Sequence, residues 1–67
     1  MSVGNNIKRK RESKGISQLE LAEQIGCSRS LIAQFEIDIK MPSLAMGKAM
    51  ADIFGCTVDE LVNSNAV

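Results

Sequence analysis

Between residues 17 and 36 the apolar positions recur at helical spacing. Leu21, Ala22 and Ile25 fall on one face of one helix, and Ile32 and Phe35, flanked by Leu31, fall on one face of another. A repeated tripeptide punctuates the chain. Gly15-Ile16-Ser17, Gly26-Cys27-Ser28 and Gly55-Cys56-Thr57 each read glycine, apolar residue, hydroxyl residue. Glycine is favoured just past a helix end because it takes the left-handed conformation without a Cβ penalty. Serine and threonine favour the N-cap, where the side-chain oxygen accepts a backbone N–H. Each tripeptide can therefore stop one helix and start the next. The middle residue then packs on the position five further along: Leu21 for Ile16, Ile32 for Cys27 and Leu61 for Cys56. Two of the starts add a capping box, Ser17-x-x-Glu20 and Thr57-x-x-Glu60.

This punctuation predicts five helices, over about residues 6–14, 18–25, 29–36, 44–54 and 58–63. The stretch "IDIKMP" after the third helix reads as irregular. Pro42 blocks a continuation, and Ser43 can cap the fourth helix. No segment alternates for longer than "EIDIK", so no strand competes. Residues 64–67 read as a frayed tail. The expected fold class is all-α, in one domain with its core over about residues 6–63.

Composition narrows the function. A chain of 67 residues buries only about 60% of its unfolded surface, so a partner subunit is a natural support. Residues 1–6 are polar with no apolar leader behind them, and no run of about 18 apolar residues occurs. A cytoplasmic chain with reduced thiols is expected, with no membrane contact. The two cysteines stand 29 residues apart with no second pair, which does not suit zinc. They fill the slot that Ile16 fills and read as small buried apolar residues. The alternative is a redox-sensing thiol. The chain has no His, Tyr or Trp and no glycine-rich phosphate loop. A general base near neutral pH would then have to be a strongly perturbed carboxylate, lysine or thiol. Neither catalysis nor a metal, cofactor or small-molecule effector is expected.

Net charge is zero, but its distribution is uneven. Residues 1–34 carry a net of +3 and residues 35–67 a net of −3. Such a split suits one face for an anionic partner and another for something else. The second and third predicted helices, joined by a short turn at Gly26 with small Ala22 allowing close approach, describe a helix-turn-helix. With Ile32 and Phe35 turned inward, Arg29, Ser30, Ala33 and Gln34 face outward. That face is short-chained and hydrogen-bonding.

The segments "ISQLELAEQIGCSRSLIAQFE" and "MPSLAMGKAMADIFGCTVDEL" resemble the phage-repressor and Cro type of helix-turn-helix, the xenobiotic-response-element family. The resemblance covers about residues 7–62. It rests most on Ser17-Gln18, Leu21-Ala22, Gly26, Ser28, Ile32, Glu36, Pro42-Ser43-Leu44 and Asp59-Glu60-Leu61. It implies a compact five-helix, lambda-repressor-like bundle that binds operator DNA as a homodimer. A recognition helix of this type sets its N-terminal residues against base edges in the major groove. Arg29 suits guanine O6 and N7, Gln34 suits adenine N6 and N7, Ser30 suits either edge, and Ala33 suits a thymine methyl. Gln18 and Ser28, at helix starts, and Lys40, in the following loop, are expected on phosphates. Arg11 is grouped with them, and it also matches a family arginine that pairs with the glutamate closing the recognition helix, here Glu36. The resemblance implies a dimer surface on the last helix and the segment before it, with Val58, Val62 and Val67 as its apolar residues.

Some positions depart from the family. Asp38 stands where glycine is usual and takes the left-handed conformation less readily. Ile37 and Ile39 replace polar or basic residues and are expected to cover extra core rather than touch another chain. Leu19 is likewise apolar at a usually polar site. The neutral net charge and the apolar loop motivate a second reading, a protein-interaction module such as an antitoxin-like or anti-repressor partner.

Overall fold

The structure, a computed structural model, describes residues 2–62. Its helices are α1 (Val3–Ser13), α2 (Gln18–Ile25), α3 (Arg29–Glu36), α4 (Leu44–Phe54) and α5 (Val58–Val62). No strand occurs among the described residues, and no helix among them is long and apolar enough to cross a membrane. The frayed tail expected over residues 64–67 lies outside the described residues.

One closure ends α2 and recurs along the chain. Gly26 turns left-handed with φ 78°, and the N–H of Cys27 then reaches back to the carbonyl of Ala22 at 2.9 Å. The same step links Ile16 to Arg11 at 3.3 Å and Cys56 to Ala51 at 3.0 Å. Each hydroxyl residue then caps the next helix, as the tripeptide pattern required. Ser17 accepts from the N–H of Glu20 at 3.0 Å and Ser28 from that of Leu31 at 3.2 Å. Thr57 accepts from the N–H of Glu60 at 3.1 Å. Both capping boxes close, since Glu20 accepts from the Ser17 N–H and Glu60 from the Thr57 N–H. Such a cap contributes about 1 kcal/mol.

Helix α1 begins at Val3, about one turn before the expected start. Ser2 caps it by accepting from the Asn5 N–H at 3.0 Å. The run Gly4-Asn5-Asn6 has poor helix propensity, and tertiary contacts override it. Asn6 is buried, and its side-chain amide donates to the carbonyl of Leu61 at 2.9 Å. Through that bond α1 satisfies a carbonyl at the end of α5.

Every helix contributes to one core. Ile7 comes from α1, Leu21 and Ala22 from α2, and Ile32 and Phe35 from α3. Met50, Ala51 and Phe54 come from α4, and Leu61 from α5. Burying an aliphatic side chain of this size contributes about 1.5–3 kcal/mol. Cys27 and Cys56, expected to be buried, are only half-buried. They pack against the core cluster, as Ile16 does.

Ile37 and Ile39 do not extend the core, contrary to the expectation for them. They are 65% and 66% exposed. The chain leaves α3 at Ile37, and the left-handed turn at Asp38 carries Ile39 back along the outside of α3 rather than under it. Met41 and Leu44 are exposed as well.

Candidate nucleic-acid interface

The third helix has a sharp division between its faces. Ile32 is fully buried and Phe35 is 2% exposed, so both are committed to the core. On the other side of the helix, Arg29 and Ser30 lie open to solvent, and Ala33 and Gln34 are half-buried at the edge of the packing. The structure therefore puts the four expected base-reading residues on one accessible face of α3. None of them is an acid.

At the C-terminal end of that face a buried polar cluster ties three helices together. The Arg11 guanidinium donates to both oxygens of Glu36, from Nε at 2.7 Å and from Nη2 at 3.2 Å. Its Nη1 donates to the carbonyl of Ile16 at 2.8 Å. Gln18 completes the cluster, its Nε2 donating to Glu36 Oε1 at 3.1 Å. The hydrogen bond to the Glu36 carboxylate raises the Arg11 pKa further above its ordinary value, against the opposing effect of burial.

Arg11 is therefore not placed as a phosphate contact. It is 8% exposed, and each of its nitrogens that reaches an acceptor reaches one inside the protein. A guanidinium removed from water is held by its partners, and releasing it to a phosphate would leave the buried Glu36 without its counter-charge. The pairing with Glu36 implied by the resemblance is the one present.

The other phosphate candidates remain at the rim. Gln18 is half-buried at the first turn of α2, and one of its two amide hydrogens is left after the bond to Glu36. Ser28 is exposed. Its oxygen accepts from the Leu31 N–H, which leaves its own hydrogen to donate. Lys40 is exposed beyond α3, and its backbone N–H bonds the carbonyl of Gln34 at 3.3 Å.

The structure also places residues that sequence reasoning passed over. Gly4 is buried against the end of α3. A Cβ there would run into the carbonyl oxygen of Phe35 and lie 2.6 Å from that of Glu36. Only glycine permits this approach. The Asp38 carboxylate accepts from the Gly4 N–H at 3.0 Å. Lys10 on α1 pairs with Glu60 on α5 at 3.3 Å. These are contacts between residues far apart in the chain, which local spacing does not reveal.

Of the dimer candidates, Val58 is half-buried and packs against the core cluster, and Val62 is 47% exposed. Val67 lies outside the described residues.

Two short helices meeting at a glycine turn, the second with a buried apolar edge and an open hydrogen-bonding face, form a helix-turn-helix. The chain belongs to the helix-turn-helix family, which matches residues 7–61. It is similar to the immunity repressor protein of Bacillus phage phi105, at 36% identity over all 67 residues. The chain spans about half the length of that protein, 46%. Among solved structures it is similar to the P22 c2 repressor protein in complex with a synthetic operator. The TM-score there is 0.91 at 25% identity, covering 97% of this chain and 98% of that one. It is also similar to SinR, the master regulator for biofilm formation, in complex with DNA. That match has a TM-score of 0.81 at 30% identity and covers 88% of this chain and 95% of that one.

Proposed function

We propose that this chain binds double-stranded DNA in a sequence-specific manner as part of a transcriptional repressor, acting as a homodimer on a roughly palindromic operator. The reading rests chiefly on α3, whose Arg29, Ser30, Ala33 and Gln34 share an open face while Ile32 and Phe35 anchor the opposite edge. Arg29 and Gln34 have the donor and acceptor patterns to pair bidentately with guanine and adenine in the major groove. Gln18, Ser28 and Lys40 supply rim donors for the phosphate backbone, which fixes register without reading sequence. The similarity to the P22 c2 repressor in complex with a synthetic operator and to SinR in complex with DNA supports a DNA partner for this chain.

The test is a gel-shift against operator and mixed-sequence duplexes across salt. Arg29→Ala and Gln34→Ala are expected to lose about 1–3 kcal/mol on the operator and little on mixed sequence. Lys40→Ala is expected to weaken both alike and to lower the log–log salt slope by about 0.9. Equal losses on both duplexes for Gln34→Ala would remove its base-reading role.

A second reading, a protein-interaction module, draws on the exposed Ile37, Ile39, Met41 and Leu44 that follow α3. The relative SinR is also known in a complex with SinI protein. Absence of any shift on either duplex at about 50 mM salt would favour this second reading.

A further inference from the structure

Four described residues have a left-handed backbone, and three of them are glycines. The fourth is Asp38, with φ 63°. It performs the closure that Gly15, Gly26 and Gly55 perform at the other helix ends. The N–H of the next residue, Ile39, reaches back to the carbonyl of Gln34 at 2.9 Å. A side chain in this conformation carries a steric cost that glycine avoids, so its presence calls for a compensating contact. That contact is the bond from the Gly4 N–H to Asp38 Oδ1, which brings a carboxylate to the first turn of α1, where the helix dipole favours an anion. The bare Cα of Gly4 is what lets α1 come this close to the end of α3.

The clasp sits two residues before Lys40. The carbonyl of Gln34 accepts from both Ile39 and Lys40, so the left-handed turn pins the backbone of the phosphate candidate to that of a base-reading candidate. We infer that Asp38 is a positioning residue for DNA contact: its carboxylate, held by the Gly4 N–H, fixes the loop in the conformation that aims Lys40 at the duplex. This inference rests on the DNA-binding reading above.

Asp38→Asn and Asp38→Gly separate the clasp from its side effects. Both residues tolerate the left-handed backbone, and both remove a negative charge that would repel phosphate. Only asparagine keeps a carbonyl acceptor for Gly4. The probe is a mixed-sequence duplex at about 50 mM salt, read by fluorescence anisotropy. Asp38→Asn is expected to bind about two- to tenfold more tightly than Asp38→Gly, the range that one neutral hydrogen bond covers. In a Lys40→Ala background the two should bind equally. Equal binding with Lys40 present overturns the inference. So does a difference that persists in the Lys40→Ala background, because Asp38 would then act on the fold and not through Lys40. If the natural chain itself gives no binding to this probe or to operator, the DNA-binding reading fails, and this inference with it.

Discussion

Arg11 shows how one side chain can have a role opposite to the one its charge suggests. A cation on a basic helix reads as a ligand for phosphate, yet its side chain here is 10% exposed and its partner Glu36 2% exposed. The distinction decides the energy. An exposed ion pair is worth about 0–1 kcal/mol, whereas removing one partner of a buried pair costs about 3–5 kcal/mol. Arg11→Ala leaves the Glu36 carboxylate with Gln18 as its one remaining side-chain donor and orphans the carbonyl of Ile16. We expect this variant to lose most of its stability, read as the collapse or disappearance of the thermal transition followed by circular dichroism. A melting temperature within a few degrees of the natural chain would mean the pair is solvated and dispensable. The cysteines make the same point in a quieter way. Burial pushes both thiols above their ordinary pKa, which lowers the thiolate fraction on which redox sensing depends.

Among the elements, α5 is the least self-sufficient. Five residues make little more than one turn, too few for a helix to persist by itself. It is held by Leu61 in the core, by the Asn6 bond to the Leu61 carbonyl, and by the Thr57–Glu60 capping box with its outer ion pair to Lys10. The hydrogen bond from Lys10, then that from the Thr57 N–H, holds the Glu60 carboxyl below its ordinary value of 4.5. A carboxylate with a depressed folded-state pKa stabilises the protein above its unfolded value, and the contribution drains away as pH falls through the folded one. Glutamine can still cap the helix but cannot pair with Lys10. Glu60→Gln is therefore expected to have a lower urea midpoint than the natural chain at neutral pH. The gap should narrow and close as pH drops below 4.5. A gap of constant size across that range would show that the charge on Glu60 does not hold α5.

For the whole molecule the relevant comparison is of lengths. The described chain measures 30 × 23 × 21 Å, while consecutive major-groove faces on one side of a duplex lie about 34 Å apart. One copy presents one α3, so under the proposed reading an operator of two half-sites calls for two copies. Val62, 47% exposed at the end of α5, is our candidate for the contact between them. Val62→Asp should leave the helical circular-dichroism signal at low temperature unchanged, since the side chain is not core. It should shift sedimentation toward monomer and weaken operator binding more than mixed-sequence binding. If the variant sediments as the natural chain does, the interface lies elsewhere, and the exposed loop from Ile37 to Leu44 becomes the next surface to alter.

Local chemistry was enough to read α2, α3 and α4, and the glycine and hydroxyl punctuation marked every bound of theirs except the end of α3, where Asp38 stands in place of glycine. It was enough because a left-handed closure and an N-cap each involve only a few neighbouring residues. The face of α3 was legible for the same reason, since a helix of known phase with two large apolar residues leaves little choice about which side is open. The start of α1, the burial of Asn6, the exposure of Ile37 and Ile39 and the Asp38 clasp were not legible. Each depends on what a distant part of the chain brings alongside: α5 against Asn6, and α1 against the end of α3. Charge by itself could not tell Arg11 from Lys40. Only the tertiary packing decided that one is an interior tie and the other is exposed to solvent.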